Sequence, residues 1–100
     1  MRKADVLSIL RAHADELQAI GIAHLALFGS VARDEADADS DIDLVIAGPP
    51  ERPMTLLRLA RAQEALERLL GRKVDLVAAQ GLAKAPEMQA RIAADLAPTF

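Results

Sequence analysis

Asp41 and Asp43 stand two residues apart at the head of the apolar run "DIDLVIA". On a strand, side chains at alternate positions leave by the same face, so these two carboxylates project together. With no cysteine in the chain and no histidine nearby, they form a hard, all-oxygen donor pair. Such a pair suits Mg²⁺, which takes one or two carboxylates together with substrate phosphates, and it suits zinc poorly. Residues 31–40 separate them from Gly29-Ser30. There a glycine permits close backbone approach, and a following helix N-terminus would offer free N–H groups and a favourable dipole to phosphate. The same stretch holds six carboxylates between Asp34 and Asp43. Charges this close repel one another, so each needs water or a cation.

The elements that position these residues follow from periodicity. Val6, Ile9, Leu10, Leu17 and Ile20 recur at helical spacing before Gly21, which predicts an amphipathic helix over about 4–20. "AHLALFG" (23–29) alternates and ends on glycine, a strand; His13 and His24 read as structural. Ser30 is placed to cap a short helix through about Ala36. "DIDLVIA" (41–47) is a second strand, closed by the breaker "GPPERP". The longest helix runs over about 54–70, with Leu56, Leu57, Leu59, Ala60, Leu66, Leu69 and Leu70 on its buried side and Gly71 as its stop. Arg58, Arg61, Glu64, Glu67 and Arg68 fall off that side, Glu64 and Arg68 at pairing distance. "KVDLVAA" (73–79) is a third strand, and residues 86–96 form a closing helix with Pro86 at its start. Eleven residues between the first two strands are too few for a parallel crossover, so they pair antiparallel, and the end of the first lies beside the start of the second.

Length and composition bound the alternatives. One hundred residues, 52% hydrophobic and 27% charged, make a single domain over 1–100 with one core. A net charge of −3 and only two aromatics, Phe28 and Phe100, argue against direct nucleic-acid binding through phosphate contacts or base stacking. Absent cysteines, an interrupted N-terminal apolar stretch and no long apolar run point to a cytoplasmic protein without membrane association. The expected architecture is α+β, a small three-stranded mixed sheet flanked by helices in the order α-β-α-β-α-β-α.

Taken together, "GSVARDEADADSDIDLVI" resembles the signature of the DNA polymerase beta-like nucleotidyltransferase superfamily, and in so short a chain it is most similar to the minimal nucleotidyltransferases, the MNT group. The resemblance implies that Gly29 and Ser30 hold a nucleoside triphosphate and that Asp41 and Asp43 hold Mg²⁺. It also asks for a third acid on the next strand, and Asp75 in "KVDLV" meets that requirement as a metal ligand or proton acceptor. Arg33 matches a frequent family arginine; contact with phosphate and pairing with Glu35 or another acid are both open to it. Asp34 departs from the pattern, which usually has glycine after that arginine. Asp37 and Asp39 match no functional position and read as solvent-facing.

What the resemblance implies about activity is transfer of AMP from ATP, or another NMP from its triphosphate, to a hydroxyl. MNT proteins commonly pair with HEPN ribonuclease toxins and act as antitoxins by adenylylating a toxin tyrosine. The chain has no tyrosine of its own, so the acceptor would lie on the partner, in a hetero-oligomer with or without self-association. Two other readings stay open: neutralisation of the toxin by binding alone, and transfer to a small molecule such as an aminoglycoside.

Overall fold

A computed structural model describes all of residues 1–100. Helices α1 (Lys3–Ala12) and α2 (Ala14–Ala19) lead into strand β1 (His24–Phe28) and a one-turn helix α3 (Gly29–Ala32). Strand β2 (Ile42–Ala47), the long helix α4 (Leu56–Leu70), strand β3 (Val74–Ala78) and a short helix α5 (Ala79–Leu82) follow. Helix α6 (Pro86–Asp95) and the two-residue strand β4 (Ala97–Pro98) complete the chain.

The sheet runs β3-β2-β1-β4. β1 pairs antiparallel with β2 and with β4, while β2 and β3 are parallel. Alternation decides the two faces. Leu25, Leu27, Ile42, Leu44, Ile46 and Val74 point into one core with Val6, Leu10, Leu17, Leu66 and Leu70 from the helices. The residues between them, among them Phe28, Asp43, Val45 and Asp75, emerge on the opposite face. The three predicted strands occur within a residue of their expected bounds, in the mixed, partly antiparallel arrangement anticipated.

Four expectations are corrected. The sheet has four strands, because β4 adds to the free edge of β1; Arg11 anchors it by donating Nε to the Thr99 carbonyl and a guanidinium nitrogen to the Pro98 carbonyl, each at 3.1 Å. The N-terminal helix is two helices, interrupted at His13, whose N–H is shared between the carbonyls of Ile9 and Leu10 at 3.2 Å. Leu56 and Leu57 are 84% and 62% exposed. Helix α4 begins only after Thr55, whose hydroxyl accepts from the Arg58 N–H at 3.2 Å, and from that start the buried stripe is Ala62, Leu66 and Leu70. Finally, Ser30 caps nothing: α3 starts at Gly29 and makes no side-chain cap bond. It stops at Ala32 rather than near Ala36, because Asp34 turns left-handed at φ 56°. The Glu64–Arg68 pair forms as expected, at 3.0 Å.

Candidate active site

The face of the sheet turned away from the core supplies the floor of a cleft of about 420 Å³. Register explains which residues gather there. In the antiparallel pair, Phe28 at the end of β1 lies opposite Asp43 near the start of β2; in the parallel pair, Asp43 lies beside Asp75. Cross-strand partners share a face, so the Gly29-Ser30 turn and two carboxylates from separate strands meet at one end of the sheet. Gly29, Ser30, Arg33, Asp43 and Asp75 all line the cleft. Asp41 does not: it stands exposed just ahead of β2. No three acidic or histidine side chains close into a ready-made metal cage.

Asp43 nevertheless feels the other two acids. Partial burial first, then repulsion from Asp75 and Asp41, raises the Asp43 carboxyl above its ordinary value, and Arg33 opposes the shift. Gly29 is part of the same construction. Its φ is 77°, and a Cβ there would collide with Oδ2 of Asp43, so the turn and the carboxylate are packed directly together. The donor set is all carboxylate oxygen, aligned by register, with mutual repulsion that a divalent cation would relieve. That chemistry fits Mg²⁺.

Arg33 has a definite partner. It donates through Nε to Glu35 at 2.9 Å and through a terminal nitrogen to Asp95 at 2.7 Å, and these bonds raise its already high pKa. The Asp95 bond joins α3 to α6. Helix α6 also contributes Met88, Arg91 and Ile92 to the cleft. None of the α6 residues carries a sequence signal, because an isolated helical Arg or Asp reads as surface charge. Only its placement over the sheet shows which side faces the acids.

The remaining acids of the 34–43 stretch have other tasks. Asp37 accepts from the Asp39 N–H at 2.9 Å and from the Ser40 hydroxyl at 3.1 Å, which lowers its pKa and pins the loop. Arg72 ties the same loop down through the carbonyls of Ala38 and Ser40 at 2.8 and 3.0 Å. Asp34 turns away from the cleft, accepting from the Lys3 N–H at the start of α1 at 3.0 Å. Its left-handed φ also explains why glycine suits this position; Asp is among the few other residues that tolerate that region. Asp34→Gly exchanges backbone relief for one exposed hydrogen bond, so stability is expected to change by no more than about 0.5 kcal/mol. Activity should stay within about twofold of wild type, since no charge leaves the cleft. Thermal melts and nucleotidyl-transfer rates check both; a large gain in rate would show that Asp34 repels the triphosphate.

Comparison with known proteins identifies the family. A family model described as the nucleotidyltransferase domain matches residues 9–97. Over 74 residues the chain is 42% identical to protein adenylyltransferase MntA of Thermococcus cleftensis, covering 73% of each protein. A solved structure assigned as a minimal nucleotidyltransferase superposes with a TM-score of 0.78 at 38% identity, over 98% of this chain and 96% of that one. In fold alone, the chain also matches the complex of tri-AMPylated Shewanella oneidensis HEPN toxin with MNT antitoxin. The TM-score is 0.66 at 14% identity, over 94% of this chain and 71% of that one. With the Gly-Ser turn, the spaced aspartates and the sheet register all accounted for, the chain belongs to the nucleotidyltransferase domain family, in its minimal, MNT branch.

Proposed function

We propose that residues 1–100 act as one cytoplasmic, Mg²⁺-dependent protein adenylyltransferase domain, which moves AMP from ATP to a tyrosine hydroxyl of a HEPN-type toxin and so disarms it. The observation that carries this reading is the meeting of Gly29-Ser30 with Asp43 and Asp75 at one end of the sheet. The relative at 42% identity is named a protein adenylyltransferase, and a chain of the same fold occurs in a toxin–antitoxin complex with AMP-PNP. Neither the cleft nor the net charge of −3 offers a nucleic-acid track.

In this reading Asp43 and Asp75, with Asp41 completing the shell, would hold the metal. When bound, Mg²⁺ neutralises phosphate charge and favours in-line displacement at the α-phosphorus. The Gly29-Ser30 turn binds the triphosphate through backbone N–H groups that have no partner inside the one-turn helix. Asp75, the more exposed of the two paired acids, accepts the proton of the attacking hydroxyl. A new oxygen–phosphorus bond forms, the α–β phosphoanhydride breaks, and pyrophosphate leaves. The acceptor tyrosine comes from the partner, because this chain has none.

The test is incubation of the protein with its genomic neighbour, α-labelled ATP and Mg²⁺. Label is expected on the partner with wild type and not with the Asp41→Asn, Asp43→Asn double variant. The double variant should still bind the partner but no longer protect cells from it. Full protection by that variant at low expression would replace catalysis with neutralisation by binding.

A further inference from the structure

Five charged residues line the cleft: Asp43, Asp75, Asp95, Arg33 and Arg91. A triphosphate entering it meets more negative than positive charge, and Arg33 is already bound by both Glu35 and Asp95. Arg91 differs. It is exposed, it lines the cleft, and it makes no ion pair; even Glu87, one turn earlier on the same helix, is not within pairing distance. Its backbone is held firmly all the same. The next residue, Ile92, is buried, and Asp95, one turn on, is clasped to Arg33. Helix α6 therefore places at the rim of the cleft an arginine that no carboxylate has claimed, while the Gly29-Ser30 turn lines it from another element.

We infer that Arg91 is a polyphosphate-binding residue, which grips the nucleotide from α6 while the Gly-Ser turn holds it from α3. A guanidinium suits this task because its planar fork matches phosphate oxygens and keeps its charge at any working pH. Arg91 also has no competing carboxylate to release before binding. Arg33, by contrast, is already engaged by Glu35 and Asp95.

This inference rests on the nucleotide-binding reading above, and calorimetry on the full chain separates the two. Titrations with Mg²⁺-ATP, inorganic tripolyphosphate and adenosine are run on wild type, Arg91→Ala, Arg91→Lys and Arg61→Ala, the last removing an equal charge from the exposed side of α4. Arg91→Ala is expected to weaken ATP and tripolyphosphate by a similar factor, about tenfold, with adenosine unchanged and the melting temperature intact. Arg91→Lys should recover part of the loss, and Arg61→Ala should bind as wild type. The inference is overturned if Arg91→Ala binds ATP as wild type does, loses no more than Arg61→Ala, or weakens adenosine equally, which would move Arg91 to the base. Should wild type itself bind neither ATP nor tripolyphosphate, the functional reading fails and this inference with it.

Discussion

Asp43→Asn is expected to abolish nucleotidyl transfer and to make the nucleotide-free protein more stable. Both effects come from one feature. Asp43 is half-buried between Asp75 and Asp41, and burial together with their repulsion disfavours its ionised form. The folded protein therefore holds that proton more tightly than the unfolded chain does. The contribution of the group is most favourable below the ordinary carboxylate pKa and is lost as pH rises through the raised folded value. At neutral pH the charge is a burden on folding, which asparagine of similar shape removes. The melting temperature should rise at pH 7, and the gain should disappear as the pH falls through the ordinary carboxylate range and the carboxyl becomes protonated in both states. The rate, in contrast, should fall on the order of 10³-fold or more if Asp43 is the metal ligand proposed above, because that ligand and its charge are then gone. A variant that melts lower than wild type at pH 7, or keeps a tenth of the rate, would refute this account of the site.

How much of this was visible in the amino-acid order depends on distance along the chain. Alternation in "AHLALFG" and "DIDLVIA" set the strand faces, because period two maps directly onto in and out. The short connection forced antiparallel pairing, and with it the meeting of Phe28 and Asp43. Asp75 is a harder case. Alone, "KVDLV" is a strand with an edge acid, and only the parallel register beside β2 sets it next to Asp43. Only the resemblance to the nucleotidyltransferases asks for an acid at that place.

What stayed hidden was tertiary. Nothing in "LAPTF" marks a strand; Ala97 and Pro98 pair because the β1 edge is open and Arg11 holds the carbonyls of Pro98 and Thr99. Leu56 and Leu57 fit the leucine-rich pattern of α4, yet the Thr55 cap sets the phase that turns them outward. Arg33 offered two partners on paper, Glu35 nearby or a phosphate. Its bond to Asp95 spans 62 positions and could not be read locally.

Gly29→Ala carries the second large effect, and Gly71→Ala is its internal control. Both glycines are left-handed, at φ 77° and 65°, where an L side chain costs roughly 1–2 kcal/mol. Gly71 closes α4 with open space where a Cβ would go, so alanine there should show the backbone cost alone and leave transfer intact. At Gly29 the added methyl must also displace Asp43, since Oδ2, Cγ and Cβ of that side chain all crowd the position. Asp43 cannot retreat freely, because β1 and β2 hold its backbone in register opposite Phe28. The added loss is expected to be about 1–2 kcal/mol beyond that of Gly71→Ala, seen as a melting temperature lower by a further 5–10 °C or so. Activity should fall at least about a hundredfold, because in the proposed mechanism Asp43 holds the metal against a triphosphate bound by the same turn, and a shift of even ~1 Å breaks that alignment. Equal melting of the two variants, or near-normal transfer by Gly29→Ala, would mean that the turn and the aspartate are not built against each other, and the close approach that defines the cleft would lose its functional meaning.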